Sequence, residues 1–415
     1  MVDKNLFPYN LAVAAIFKEE APYLREWLDY HLLAGVEHFY LYNNDSSDDY
    51  EKILAPYIEA NLVTLIDWSG KAMQNPAYLD ALNRFRFFCR YMTFIDLDEF
   101  IFPKTNQSIV EVADEVLSRN NRAQALAIRW RIFGSNGQKT ADYSRGVLER
   151  FTRRAPDEDE TSEPYVKIVG NPRSMKFFAG SHFATHFGGN FTVDEFGNKV
   201  TTYRTAGTLV EKIVLNHYAA KSFEEFSRKD RRGFADNANV RPYTKELFNS
   251  LDLNEVFDED ILIYRNVRIE NFSLENDEQR IRRVEKFLID TLTQQSPFDV
   301  PAEFFTDKLE TFLTCRKLAE VFGTRIGNKT AEEYALVWIY QSFVTRHPFN
   351  YAELQLLLNE LPALLKRPFP LCRKILRLVD EKLFPLIDES LKQAQNWGGL
   401  YYMNFTRQIL NSILR

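Results

Sequence analysis

The chain has 415 residues, a net charge of −6, 45% hydrophobic residues and 27% charged ones. That length exceeds one ordinary core and predicts two domains, the composition is that of a globular protein, and the lack of a basic excess excludes a nucleic-acid footprint. Cys89, Cys315 and Cys372 are too few and too far apart for a disulfide framework or a metal-thiolate site, which points to a reducing compartment. One Lys before a short apolar run does not make a signal peptide. No window reaches the roughly 20 apolar residues of a spanning helix.

Residues 11–17 read as a buried strand. A helix follows, with Pro22 in its first turn, apolar residues from Tyr23 to Leu32 at helical spacing, and Gly35 as its stop. Residues 38–42 form a second strand, the polar loop 43–49 caps a helix running to about residue 60, and residues 62–66 form a third strand. Residues 76–90 read as helical. Residues 92–95 are an apolar strand that stops at Asp96, Asp98 and Glu99. Strand–helix alternation of this kind predicts a mostly parallel sheet covered on both faces. Further on, 107–119 reads as a helix, 125–130 as a strand and 132–137 as a loop near the acidic cluster. Asp157 to Glu160 reads as a solvated acidic insertion. Residues 167–169 and 177–187 read as strands turning back across the sheet, 214–218 as a short strand, and Ser222 as the cap of a basic helix ending at Arg232. From about residue 271 helical periodicity dominates. Domains of 1–270 and 271–415 are therefore expected, the second helical. Basic residues outnumber acidic ones over 361–415, which allows peripheral contact with an anionic membrane.

The acidic cluster carries the chemistry. Ligands sit at the carboxyl ends of strands in open α/β sheets. In an extended segment Asp96 and Asp98 point the same way, and two oxygen donors suit a hard divalent cation that also holds a diphosphate. Among the histidines, His31, His38 and His347 read as structural. His182 and His186, four apart, read as lining a cleft, and their spacing alone does not make a zinc site.

The chain resembles GT-A-type glycosyltransferases, in particular glycosyltransferase family 92 and family-2-like bacterial relatives. The resemblance rests on Lys18-Glu19-Glu20 with Tyr23 to His31, on Phe39 to Asp48, on Phe94 to Phe100, on Arg129-Trp130 with Phe133-Gly134-Ser135, and on Asn216-His217-Tyr218 with Lys221, Ser222, Phe226, Lys229 and Arg232. Glu19 departs from the Asn usual at that place. The implied fold is α/β, a Rossmann-like GT-A sheet with helices on both faces, followed by an all-helical C-terminal extension.

The resemblance implies a sugar donor carried on a nucleotide diphosphate, with uridine diphosphate the expected carrier, and a glycan or glycolipid acceptor. It also implies Mn2+ or Mg2+ held by Asp96, Asp98 and His217. Lys18, Asn44, Asp45, Asp96, Lys221 and Lys229 would contact the donor. An inverting displacement needs a general base, and Glu99, Asp142, Asp194 and Asp230 all remain open for it. The expected setting is cytoplasmic, at the inner face of a membrane, in polysaccharide synthesis. Two other functions are compatible with the fold: a sugar-1-phosphate nucleotidyltransferase, disfavoured by the lack of a Gly-rich phosphate loop after the first strand, and an inactive carbohydrate-binding scaffold.

Overall fold

The first strand, β1 (Tyr9–Phe17), lies inside the sheet, paired on both edges. Leu11, Val13, Ala15 and Phe17 enter one core, while Ala12, Ala14 and Ile16 enter the other. Burial on both faces is why this strand reads as a continuous apolar run. The computed structural model describes residues 7–157, 165–187, 189–205, 209–232 and 244–270, and beyond them only 279–280, 282–283, 286, 325–326 and 329–330.

After β1 come α1 (Ala21–Leu33), β2 (His38–Asn43), α2 (Tyr50–Glu59), β3 (Val63–Asp67), α3 (Gln74–Phe85) and β4 (Cys89–Phe94). The four strands pair in parallel in the order β4-β1-β2-β3. Gly35 lies just past the Ala34 cap of α1 at φ +102°, a left-handed conformation natural to glycine. The helix expected over 76–90 is shorter, because Cys89 and Arg90 already pair with β1 as part of β4.

The second half carries β5 (Glu99–Pro103), α4 (Ile109–Leu117), β6 (Ala123–Ile132), α5 (Val147–Arg150), β7 (Arg153–Arg154), β8 (Val166–Gly170), β9 (Met175–Phe178), β10 (Ala184–His186), β11 (Phe191–Val193) and β12 (Lys199–Val200). It continues with β13 (Ile213–His217), α6 (Phe223–Arg232), α7 (Lys245–Leu251), β14 (Val256–Phe257) and α8 (Asp260–Glu270). The main path is β12-β11-β6-β8-β4-β1-β2-β3, with β13 pairing β5 and β6. The sheet is mixed: β1 with β2 and β4, β2 with β3, and β6 with β11 and β13 pair in parallel as expected, while β8 lies antiparallel between β4 and β6. Gly170 permits this close approach, because a Cβ there would stand 2.5 Å from that of Ala125. Of the strands expected within 177–187, β9 and β10 pair only with each other, as a separate hairpin.

Helices α1, α2, α4, α5 and α8 pack on one face of the sheet, while α3 and the β9–β10 hairpin pack on the other. Asp157 is not simply a solvated acid, because its carboxylate accepts Nε and Nη2 of buried Arg131 at 2.9 and 3.0 Å. The rest of that acidic run, 158–160, lies outside the described residues.

Tyr9–Asp277 forms one compact unit, and Met1–Pro8 with Glu278–Arg415 forms another. In the second unit, Arg283 donates to the carbonyl of Phe7 at 3.2 Å, and Arg325–Ile326 pairs antiparallel with Lys329–Thr330. The helical extension expected over 271–415, its basic face and His347 otherwise fall outside the described residues. Among the described residues, no helix is long and apolar enough to cross a membrane.

Candidate active site

The acidic cluster lies in the connection between β4 and β5. This connection is a turn, closed by Glu99 N–H donating to the carbonyl of Asp96 at 3.1 Å. The alternation that would aim Asp96 and Asp98 the same way therefore does not apply, and the two side chains take different partners. Asp96 Oδ1 accepts from Gln74 Nε2 at 2.5 Å and Tyr78 Oη at 3.1 Å, and its Oδ2 accepts from Lys167 Nζ at 3.1 Å. Asp98 turns toward β13 and α6. Its Oδ2 accepts from Lys229 Nζ at 2.7 Å, and its Oδ1 stands 3.4 Å from His217 Nε2.

The backbone sets the Asp98–His217 meeting. β13 runs antiparallel to β5 with His217 opposite Glu99, and Tyr218 N–H donates to the carbonyl of Asp98 at 2.8 Å. Lys229 arrives on α6, and its ammonium also donates to the carbonyl of Ala219 at 2.9 Å. Burial alone would raise the pKa of Asp98. Lys229 and then His217 outweigh it, holding the carboxyl well below the usual carboxylate range.

Glu99 behaves in the opposite way. It is fully buried, its Oε2 accepts from Asp96 N–H at 2.8 Å and lies 3.5 Å from Lys167 Nζ, and its Oε1 has no hydrogen-bond partner among the described residues. Burial pushes its pKa well up, the charge of Asp96 adds to this, and Lys167 opposes it only in part. Lys167 itself is raised against the pull of burial, chiefly by Asp96. The Glu99–Lys167 pairing is fixed by tertiary contact between β5 and β8. Its signal in the sequence is a lysine inside the apolar run Val166-Lys167-Ile168-Val169, since a buried ammonium needs a buried partner.

A second network fixes α6. Ser222 and Glu225 form a capping box: Ser222 Oγ accepts from Glu225 N–H at 3.3 Å, and Ser222 N–H donates to Glu225 Oε2 at 3.1 Å. The same carboxylate takes Arg150 in a fork, at 2.7 and 2.9 Å, and Tyr23 Oη at 2.9 Å. The Arg150 and Glu225 side chains are 1% and 0% exposed. One buried carboxylate thus joins α1, α5 and the helix that presents Lys229.

Beside Lys229 opens a cleft of about 1090 Å³, lined also by Lys18, Tyr23, Lys139, Tyr143 and Arg228. Lys18 and Lys229 therefore share one cavity. Lys221 instead is buried at φ +49°, with its ammonium 4.1 Å from the centre of the Tyr23 ring. Asn44 and Asp45 tie their loop to the one after β3. Asn44 Nδ2 donates to the carbonyls of Trp68 and Gly70 at 2.8 and 2.9 Å, and Asp45 accepts from Ser69 Oγ at 2.6 Å. Glu19 accepts from Ser47 N–H at 2.7 Å.

Among the open base candidates, Glu99 is sealed from solvent and Asp194 accepts from Phe196 and Asn198 N–H inside a turn. Asp142 accepts from Ser144 next to cleft-lining Tyr143, and the side chain of Asp230 lies outside the described residues. His31 and His38 are structural, bonded to the carbonyls of Trp27 and Asn61. His186 is held between Ser174 and Thr192. His182 joins an aromatic row: ring centres run from His217 to Trp130 at 4.2 Å, to His182 at 5.0 Å, to Tyr165 at 5.1 Å and to exposed Tyr203 at 5.6 Å. The 132–137 loop begins beside His217, whose carbonyl accepts from Phe133 N–H at 2.9 Å. It then turns to Asp252 and Asn254, where a Cβ on Gly134 would collide with the carbonyl of Leu253.

Residues 8–248, which hold this whole constellation, match the family model for Glycosyltransferase family 92. The chain belongs to glycosyltransferase family 92. It is 26% identical over 148 residues to a family 92 protein of Ricinus communis, an alignment that covers 35% of this chain and 27% of that protein. It is also 26% identical over 201 residues to the galactan beta-1,4-galactosyltransferase GALS2 of Arabidopsis thaliana, covering 46% of this chain and 38% of the relative. The chain thus spans well under half of the length of these relatives. S. aureus TarS in complex with UDP aligns over 81% of this family 92 chain and 92% of its own length, at 10% identity and a TM-score of 0.31, a likeness too slight to fix a shared arrangement.

Proposed function

We propose that this family 92 protein transfers a sugar from a nucleotide-diphosphate donor, with uridine diphosphate as carrier, to a glycan or glycolipid acceptor, with inversion and with the help of a divalent cation. The observation that carries the reading is the meeting of Asp98, His217 and Lys229 at the carboxyl end of β4, beside a cleft lined by Lys18, Lys139 and Arg228.

Asp98 Oδ1 and His217 Nε2, 3.4 Å apart, have the spacing of two adjacent ligands of one ion with bonds of about 2.0–2.2 Å. Asp96 fits less well, because both its oxygens already accept hydrogen bonds. Among the described residues no group of three or more His, Cys, Asp and Glu side chains converges. The remaining ligands would come from the diphosphate and water. When bound, the ion neutralises charge on the departing diphosphate.

The chain's own groups do the rest. Lys18 and Lys229 are the partners proposed for the phosphates, in a cleft whose lining also carries Glu19, Glu20, Asp48, Glu224 and Glu225, with Arg228 paired to Glu224 at 2.6 Å. Asp96, held by Gln74, Tyr78 and Lys167, is a fixed acceptor for the nucleoside side of the donor. The half-buried row from Trp130 to Tyr203 gives apolar faces on which acceptor sugar rings stack. Galactan beta-1,4-galactosyltransferases among the relatives support a glycan acceptor. The proposed setting, read from the sequence alone, is the cytoplasm at the inner face of a membrane.

The test is turnover of UDP-sugars by the full chain with and without Mn2+, alongside Asp98→Asn. Release of UDP that needs Mn2+ and falls at least about a hundredfold in the variant, on the scale of losing a strong transition-state electrostatic group, is expected. Pyrophosphate release would reveal a nucleotidyltransferase. No turnover, with sugar binding intact, would reveal a scaffold.

A further inference from the structure

We propose that Lys229 is a built-in counter-cation that closes the Asp98–His217 site to a divalent ion until a nucleotide diphosphate arrives. The inference rests on the metal-dependent reading above and concerns what this chain does before the donor binds.

Consider the charges without donor. Asp98 is paired with Lys229 at 2.7 Å and Asp96 with Lys167 at 3.1 Å. Asp98, the carboxylate that would hold the ion, thus has its own lysine, whereas Lys167 is shared between Asp96 and Glu99, so an ion approaching Asp98 meets a carboxylate already paired with a cation. The ammonium is also in the way. It occupies one oxygen of Asp98 while the other faces His217, so an ion bridging Asp98 and His217 would sit directly beside it. Both Asp98 and Lys229 are at most 8% exposed, where water screens such repulsion poorly.

A diphosphate reverses this. It brings at least two negative charges and several acceptor oxygens. Lys229 is equipped to move to them. Its ammonium has three N–H donors; two are taken by Asp98 and the carbonyl of Ala219, the third has no partner among the described residues, and the side chain lines the cleft. Moving from Asp98 to a phosphate oxygen keeps the ammonium paired and frees the carboxylate for the ion. Ion and nucleotide then bind with positive coupling, and linkage makes the coupling reciprocal. The consequence for the reaction is order: the protein holds no competent ion before the donor is present.

The experiment titrates the full chain with Mn2+, reading free Mn2+ by electron paramagnetic resonance, with and without UDP. Wild type is expected to bind Mn2+ weakly alone and at least about tenfold more tightly with UDP, a coupling of ordinary size. Lys229→Gln keeps a donor for Asp98 and removes the charge. It is expected to bind Mn2+ alone about tenfold more tightly than wild type and to lose most of the UDP enhancement. Should that variant not fold, Lys229→Arg serves instead: its permanent charge and bidentate grip on Asp98 predict weaker Mn2+ binding without UDP than wild type. The proposal is overturned if UDP enhances Mn2+ binding in wild type while the Gln variant, or the Arg variant in its place, binds Mn2+ alone no differently. Absence of Mn2+ binding even with UDP would overturn the metal-dependent reading, and this proposal with it.

Discussion

The Arg150–Glu225 pair offers a sharp test of how α6 is held. Arg150→Met keeps the length of the side chain and removes both hydrogen bonds of the fork. Glu225 then stays buried, with Ser222 and Tyr23 as donors but no cation. Breaking one partner of a buried ion pair costs about 3–5 kcal/mol, most of it the penalty of the abandoned charge. For a unit of this size, about 1 kcal/mol corresponds to 2–4 °C, so a fall in Tm of roughly 6–20 °C follows. The double variant Arg150→Met with Glu225→Gln removes the stranded charge, and the costs should fall short of additive by about 2–3 kcal/mol. The effect also has a pH signature. Burial would raise the pKa of Glu225, but the Arg150 fork and Ser222 hold it at about 2, below its ordinary 4.5. A depressed carboxyl contributes stability above its unfolded pKa and loses it as pH falls. The gap between wild type and Glu225→Gln should therefore be full above about pH 5 and shrink progressively toward about pH 2. Urea unfolding monitored by tryptophan fluorescence across that range is the assay. A cost below about 1 kcal/mol at pH 7, or strictly additive effects, would show that the fork is incidental to the placement of α6.

Two further outcomes follow from the site. His217→Ala removes one of the proposed ligands but no negative charge, so Mn2+ affinity with UDP present should fall about 10–100-fold, while UDP affinity at saturating Mn2+ changes little; calorimetric titration of each in turn checks this, and equal losses in both would argue against a ligand role. Glu99→Gln addresses the buried acid. A carboxyl with a raised folded pKa gives stability that is complete below its ordinary value of 4.5 and lost as pH rises toward the folded value. Wild type should thus lose ground to Glu99→Gln as pH rises above the ordinary carboxyl value of 4.5 in thermal melts, and parallel pH profiles would refute the assignment.

The sequence makes the parallel half legible because each element there carries its own signal. The two-sided apolar run of β1, the helical spacing of α1 and the glycine after its cap all act within a few residues. The Asp96–Asp98 geometry was misjudged because the period-two rule holds only in a strand, and the chain turns between β4 and β5. The end of α3 was overrun because no breaker separates it from Cys89 and Arg90, which β1 recruits by pairing. Arg150, Gln74 and Tyr78 went unnoticed because their partners are fixed only by tertiary contact: Glu225 lies 75 residues from Arg150. His217 could be placed because the resemblance supplied the long-range link that spacing does not.

The position of β13 also governs when the site can exist. The strand closes against β5 and β6 only after a long excursion through the β9–β10 hairpin and β11–β12, and Lys229 meets Asp98 across 131 residues. Contacts of such long sequence separation form late, because loop closure must be offset before they stabilise anything. On the ribosome, β1 to β4 can assemble as soon as they emerge, whereas Asp98 has no His217 or Lys229 to face until α6 has been made. Closure of the Asp98–His217–Lys229 cluster is thus among the last events in the folding of this unit, and a chain arrested before residue 213 would present β5 as an unpaired, apolar edge, the kind of surface that chaperones retain.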